Sequence, residues 1–342
     1  MEDYMSKKYN ENTTKKKSGL KTGLLIALTL ILFIVGFGYA YIHNLLDSTN
    51  KDIISTTDAD LGIKDDGFVY DDSDLNIEQE GDLPYYYEGV TGITNIALFG
   101  VDAPTGETGR SDSIMILTID KNSKKIKLTS IVRDSYVNIP DRGLDKINHA
   151  YAFGGPQLAL QTLNSNFHLD IRNYATVNFT TLPQIVDILG GVKITVTDDE
   201  STEIAGLSSG GTYNLDGAEA LDYSRIRHID SDFARAGRQR TVIEAIIKKL
   251  LDSNVTSYPS ILSKLLPLVT TNMSSSNILG LGTTVITSGI KTIEQNRFPQ
   301  DANSEGKKID GIYYYVFNRD QTLMDMGKYL YLDDQSIETE TN

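Results

Sequence analysis

The chain has 342 residues, 40% of them apolar and 23% charged, which suffices for one large core or two ordinary ones. With no Cys, no Trp and only four His, a disulfide framework, a thiolate metal site, an iron–sulfur cluster and a cysteine nucleophile are excluded, and a histidine-rich metal cluster has little to draw on. A formal charge of −14 argues against a nucleic-acid partner, since neutralising a phosphate backbone needs a basic surface.

The charge is unevenly placed. Residues 1–21 hold six lysines against three acids and are expected to form a basic cytoplasmic tail. Residues 22–42 contain no charged side chain, and at about 1.5 Å per residue they reach across a hydrocarbon layer of about 30 Å as one transmembrane signal-anchor helix. Lysines before this run and Asp47, Asp52, Asp58 and Asp60 after it orient the amino end inward and place everything past His43 outside the cell membrane. A cleaved secretory signal is the competing account. The run exceeds the roughly 7 to 15 residues of a signal core, and no small-x-small cleavage site follows Tyr39, Ala40 and Tyr41. Residues 43–88, with thirteen acids against Lys51 and Lys64 and no lasting apolar period, predict an extended extracellular stalk. Residues 89–332 then form the globular domain, at near-ordinary charge density, and 333–342 a frayed acidic tail.

Within the domain, Ile93–Val101, Ser113–Ile119 and Ile126–Val132 read as strands, the last two as a hairpin. Pro156–Phe167 reads as a helix, Tyr174–Val177 as a strand, Thr180–Leu189 as a helix stopped by Gly190 and Gly191, and Val192–Val196 as a strand. Helices follow over Asp216–Tyr223 and Asp232–Leu251, the latter with Ile243, Ile246, Ile247 and Leu250 on one face. Further helices near Pro259–Val269 and Ser275–Ser288, strands near Ile290–Arg297 and Gly311–Val316, and a helix near Gln321–Tyr329 complete an α/β domain with helices layered on one sheet.

Four segments concentrate the chemistry. One strand ends on Asp102, and Arg110, Ser111 and Asp112 precede the next, so both carboxylates can meet at one sheet edge. Arg133 and Asp134 follow the third strand, with Asp145, Lys146 and His149 beyond them. Arg225 and Arg227 precede a helix on which the three- and four-residue spacing lets Arg235, Arg238 and Gln239 share one side. Arginine forks match phosphate oxygens, and a carboxylate pair suits Mg²⁺, so the pattern points to phosphoryl transfer. Each piece has a plainer reading. Arg133 with Asp134 can be a surface ion pair, Asp102 a turn residue, Asp232 a helix N-cap, His149 a polar helix start, and Gly154-Gly155-Pro156 a turn opening a helix. No Walker loop and no GxSxG elbow is present.

Taken together, NIALFGVD at 95–102, GRSDSIMILTID at 109–120, SIVRDSYVNIP at 130–140 with DKINHAYAFGG at 145–155, and LDGAEALDYSRIRHIDSDFARAGRQR at 215–240 resemble the LytR-CpsA-Psr family of Gram-positive cell envelopes. The resemblance implies a membrane-anchored extracytoplasmic phosphotransferase. It would move a glycopolymer, a wall teichoic acid or a capsular or secondary wall polysaccharide, from undecaprenyl diphosphate to peptidoglycan with Mg²⁺ or Mn²⁺. It also implies an α/β/α sandwich with a central mixed sheet beside an apolar polyprenyl channel. Matched to this chain, Asp102 and Asp112 correspond to the metal-associated carboxylates, and Arg110, Arg133, Arg225, Arg227, Arg235 and Gln239 to the diphosphate clamp, joined by Lys146 and Arg238. Asp102, Asp112, Arg133 and Arg235 are the expected catalytic groups, with Asp102, Asp112 or Asp134 as general base. Val132 and Arg240 depart from the family pattern, where proline and a second glutamine are common. Polyprenyl diphosphate hydrolysis, or a non-catalytic regulator or glycan receptor, are the alternatives. Retention of both carboxylates beside Arg133 favours the enzyme over a mere binder.

Overall fold

The computed structural model describes residues 50–64, 85–102, 109–254, 257–334 and 336–337. A short strand β1 (Asn50–Lys51) precedes β2 (Ile93–Val101), β3 (Ser111–Asp120) and β4 (Lys125–Ile131), the expected meander. A small hairpin, β5 (Tyr136–Ile139) and β6 (Gly143–Lys146), leads into helix α1 (His149–Phe167), then β7 (Asn173–Asn178) and α2 (Leu182–Ile188). A second hairpin, β8 (Val192–Val196) and β9 (Gly211–Leu215), encloses the short α3 (Asp198–Thr202). There follow α4 (Gly217–Arg225), α5 (Asp232–Leu251), α6 (Tyr258–Leu265), β10 (Val269–Thr271), α7 (Ser275–Ser288) and β11 (Thr292–Phe298). The hairpin β12 (Ser304–Ile309) and β13 (Ile312–Phe317) and helix α8 (Arg319–Gly327) end the series.

Seven strands form one mixed sheet in the order β1-β10-β7-β2-β3-β4-β11. Strands β2, β3 and β4 pair antiparallel, while β7 joins β2, and β11 joins β4, in parallel. Because side chains alternate across a strand, Ala97, Phe99 and Val101 of β2 and Ile114 and Ile116 of β3 face α1 and α8 in the largest core. Leu98, Gly100, Ser113 and Met115 turn to the opposite face, where α2, α4, α5, α6 and the β8–β9 hairpin build the second core. The result is the expected α/β/α sandwich around a central mixed sheet. The proposed membrane segment 22–42 lies outside the described residues, and among the described residues no helix is long and apolar enough to cross a membrane.

Several expectations need correction. Helix α1 starts at His149 rather than Pro156; Gly154 (φ −146°, ψ 22°) and Gly155 (φ 61°, ψ −156°) interrupt it, and the interruption reads in the sequence as a beginning. Val269–Thr271, expected near a helix end, is strand β10 because it finds partners in β7 and β1 that lie far away in the chain. Part of the expected stalk belongs to the domain. Leu61 and Ile63 are buried in the main core, Asn164 Nδ2 donates to the Leu61 carbonyl at 2.8 Å, and the Tyr174 hydroxyl donates to Asp52 at 2.8 Å. The many acids around them conceal two well-placed apolar residues. The expected tail is likewise tied down at its start, where buried Lys127 meets Asp333 at 2.8 Å and Lys125 meets it at 3.0 Å, and Ile337 packs into the core.

Candidate active site

The site forms where β2 ends and β3 begins. Gly100 pairs with Ser113 but Val101 pairs with Ser111, so Asp112 is the extra residue of a bulge, a device that re-aims a side chain. A Cβ on Gly100 would sit 2.8 Å from that of Ser113, so the close approach of the two strands requires glycine there. Asp102 follows Val101 directly, and the two carboxylates thus share one end of the hairpin, as expected.

Arg133 lies two residues past β4 on a loop tied from several sides. Val132 N–H donates to the Phe298 carbonyl at 2.9 Å, Asn148 N–H to the Arg133 carbonyl at 3.2 Å, and Tyr315 N–H to the Asp134 carbonyl at 2.8 Å. The side chain lies between two carboxylates, with Arg133 Nη1 3.4 Å from Asp112 Oδ1 and Nε 3.4 Å from Asp134 Oδ2. Charge-assisted bonds of this kind ordinarily measure about 2.7 to 2.9 Å, and both contacts are longer than that. Lys146 makes the tight contact, its ammonium 2.7 Å from Asp134 Oδ1.

These groups line a cavity of about 250 Å³ over β3, β4 and β11, with Arg235, Phe233 and Gln239 of α5 as its roof and Arg297 and Tyr313 completing the wall. Gln239 is 6% exposed, and its side-chain N–H group is buried without a hydrogen-bond partner among the described residues; the Ser130 hydroxyl in the floor is in the same position. Leaving a buried donor unsatisfied costs about 1 to 3 kcal/mol, which marks both as groups aimed at something the cavity takes in. Beside it lies a second, apolar cavity of about 90 Å³ over β7, β2 and β3, walled by Leu98, Met115, Val177, Phe179, Leu182 and Ile243. Ser113 and Gln239 belong to both walls. Arg225, half-exposed, lies 3.5 Å from Asp102 Oδ1 and 6.0 Å from the centre of the Phe179 ring that walls the apolar cavity.

Thus Asp112, Arg133, Arg235 and Gln239 converge on one cavity and Lys146 reaches it through Asp134, while Asp102, paired with Arg225, is exposed at the hairpin end and lines neither cavity. Arg110 and Arg227 are exposed and line neither cavity. Arg238 is a correction. It points to the other side of α5, where its two terminal nitrogens grip Asp230 at 2.6 and 2.8 Å and Nη2 also donates to the Ile226 carbonyl at 2.9 Å. This hydrogen bonding holds the Asp230 carboxyl below its ordinary range. On a helix turning about 100° per residue, Arg238 and Gln239 flank Arg235 on opposite sides, so only one of them can share its outlook. The helix N-cap is Ser231, whose hydroxyl accepts from Ala234 N–H at 3.2 Å, one residue before the expected Asp232.

Arg297 escaped the sequence reading. It is 7% exposed, lies 4.3 Å over the Phe233 ring, and donates to Asp301 at 2.9 Å and to the Pro299 carbonyl at 3.2 Å. Its signal was an arginine ending a recognised strand, but only the parallel pairing with β4 sets it opposite Ser130. Beneath the cavity the almost fully buried Arg240 donates to Gln295 at 3.2 Å; burial, and then the charge of Arg297, pull its pKa down to about 10. Among the described residues no group of three or more His, Asp or Glu gathers to hold a metal. Asp102 and Asp112 at the hairpin end, and Asp134 in the cavity wall, offer hard oxygen ligands, a donor set that suits Mg²⁺, an ion commonly held by one or two carboxylates with substrate phosphates supplying the rest.

A sequence model of the LytR_cpsA_psr family matches residues 70–328. The chain is 31% identical over 326 residues to the polyisoprenyl-teichoic acid–peptidoglycan teichoic acid transferase TagU of Bacillus subtilis (strain 168), covering 94% of this chain and 97% of that protein. A solved structure described as TagT bound to LIIa-WTA shares the fold with a TM-score of 0.60 at 30% identity, over 75% of this chain and 94% of its own. Another, described as the LytR-CPS2A-psr family protein YwtF (TagT) with bound octaprenyl pyrophosphate lipid, gives 0.57 at 28% identity over the same shares.

Proposed function

The chain belongs to the LytR-CpsA-Psr family and is a phosphotransferase of its type, and we propose that it transfers a glycopolymer from an undecaprenyl diphosphate carrier to a hydroxyl of peptidoglycan. The observation that carries this reading is the shared wall at Ser113 and Gln239: a cavity of arginines and carboxylates opens directly beside an apolar one. A polyprenyl diphosphate has the same two halves in the same order. The names of the teichoic acid transferases and of the octaprenyl pyrophosphate complex support the same substrate class.

In the reaction the acceptor oxygen attacks the phosphorus that bears the sugar and forms a new P–O bond. The bond to the lipid phosphate breaks, and polyprenyl monophosphate leaves with its tail in the apolar cavity. The hydroxyl proton passes to a carboxylate at the hairpin end. Asp134 is the least suited of the three, because Lys146 and Arg133 occupy its two oxygens; Asp102 and Asp112 are more open. Arg133, Arg235 and Gln239 donate to phosphate oxygens, stabilising charge that develops on them. Mg²⁺ held by Asp102 and Asp112 would neutralise the diphosphate and polarise the attacked phosphorus. The diphosphate linkage itself stores the driving energy, so no nucleotide is required. An anchor at 22–42 would confine the domain to the membrane surface that carries its donor and so raise their effective concentration.

The test is transfer of a lipid-linked glycan to peptidoglycan by Arg133→Ala and Asp112→Ala proteins that remain folded, with products analysed with and without acceptor. Parental rates in both variants would overturn the site, and release of lipid phosphate independent of acceptor would indicate hydrolysis instead. Chelating divalent cations is expected to abolish transfer and leave the melting temperature unchanged.

A further inference from the structure

On the side of the polar cavity away from the apolar one, the wall ends in an aromatic surface that the phosphate chemistry does not use. Tyr313 lines the cavity and is 44% exposed. The outer edge of its ring reaches over Gly306 of the neighbouring strand, where a Cβ would come within 2.7 Å of it. The hairpin is itself registered on the catalytic loop, through the Tyr315–Asp134 backbone hydrogen bond and a parallel bridge between Ser135 and Tyr315. Lys146, the partner of Asp134, sets its ammonium 5.9 Å from the Tyr313 centroid and 5.8 Å from that of Tyr314, and Tyr136 packs on Tyr314 with centroids 4.6 Å apart.

We infer that Tyr313 is the stacking platform of an acceptor subsite and takes a saccharide ring of the peptidoglycan glycan. The inference rests on the transfer reading above and adds to it a place for the second substrate. The sheet order supplies the reason. The apolar cavity lies over β7, β2 and β3, the polar cavity over β3, β4 and β11, and Tyr313 stands beyond the loop that follows β4. In-line displacement at phosphorus puts the attacking oxygen opposite the leaving one. With the leaving lipid phosphate directed to the apolar cavity, the acceptor arrives from the Tyr313 side. Pyranose C–H groups carry slight positive charge and settle on the negative face of an aromatic ring, while the Lys146 ammonium beside it can donate to sugar hydroxyl or acetamido oxygens.

The experiment titrates the full-length chain in detergent with a soluble disaccharide-peptide fragment of peptidoglycan and, separately, with a short-chain polyprenyl diphosphate. Tyr313→Ala is expected to weaken fragment binding roughly tenfold while the diphosphate affinity stays within about twofold. Tyr313→Phe should retain the parental affinity, and Gly306→Val should resemble Tyr313→Ala because it displaces the ring without removing it. In the transfer assay the acceptor KM should rise more than kcat falls. Unchanged fragment binding in Tyr313→Ala, or no binding by the parent, overturns the proposal. Loss of affinity for a lipid-linked glycan with fragment binding intact also overturns it and gives the ring to the donor's own sugar. Failure of the parent to bind the polyprenyl diphosphate would instead strike the transfer reading, which the fragment titration does not touch.

Discussion

The two faces of α5 put the same chemistry to opposite uses. On one, Arg235 and Gln239 look into a cavity shared with Arg133, whose contacts to Asp112 and Asp134 are both 3.4 Å. On the other, Arg238 is gripped by one carboxylate at 2.6 and 2.8 Å and by a backbone carbonyl, with Glu200 3.4 Å away. Arg238 ties α5 to Asp230 and the Ile226 carbonyl, whereas Arg235 on the neighbouring stripe lines the cavity. The stripe of α5 on which each residue lies, rather than its charge, separates the two.

The contrast breaks first if Arg133 proves dispensable. Arg133→Ala is expected to lower transfer by about 10²- to 10³-fold, as removal of a donor aimed at developing charge does, with the melting temperature held; steady-state rates beside a thermal melt check it. The opposite profile is expected for Arg238→Ala. It leaves Asp230 and Glu200 without their cation and should destabilise the fold by about 3 kcal/mol in denaturant titration, while the folded fraction keeps most of its activity. A smaller effect sharpens the comparison at the junction: Gln239→Leu removes an unsatisfied buried donor, so stability should hold or rise while affinity for a polyprenyl diphosphate falls about tenfold by calorimetry. The smallest concerns pH. Hydrogen bonding to Arg238 lowers the Asp230 pKa in the folded state, so its contribution is present above the ordinary carboxylate pKa and is lost as pH falls through the depressed value. The acid limb of the stability curve should therefore flatten in Arg238→Gln, and an unchanged limb would show that the pair contributes nothing.

Much of the architecture was legible. Val192–Val196 and Asp232–Leu251 fall where their periods place them, because Gly190-Gly191 and a polar cap bound apolar runs of clear period. The hairpin ending in Asp102 and Asp112 was legible for a similar reason, since adjacent antiparallel strands bring their ends together whatever packs around them. The β5–β6 hairpin was not read, and of β12–β13 only the second strand, Gly311–Val316, was, so Tyr313 was placed on a strand without its cavity. The β5–β6 strands are only four residues each, whereas the Asp310-Gly311 pair, both with positive φ, was an available hairpin signal for β12–β13. Leu61 and Ile63 were hidden in an acidic stretch whose average predicts a spacer.

The sequence by itself determined the local elements, the four motifs and the family they belong to, because period, caps and spacing act over a few residues. Tertiary structure decided which side of α5 would face the cavity, and it brought Arg297 and Tyr313 to a cavity whose other groups lie far earlier in the chain. Helical spacing sets the angle between Arg238 and Gln239 but not what faces each of them; that follows from how the sheet and its covering helices exclude water, and no single segment carries that information.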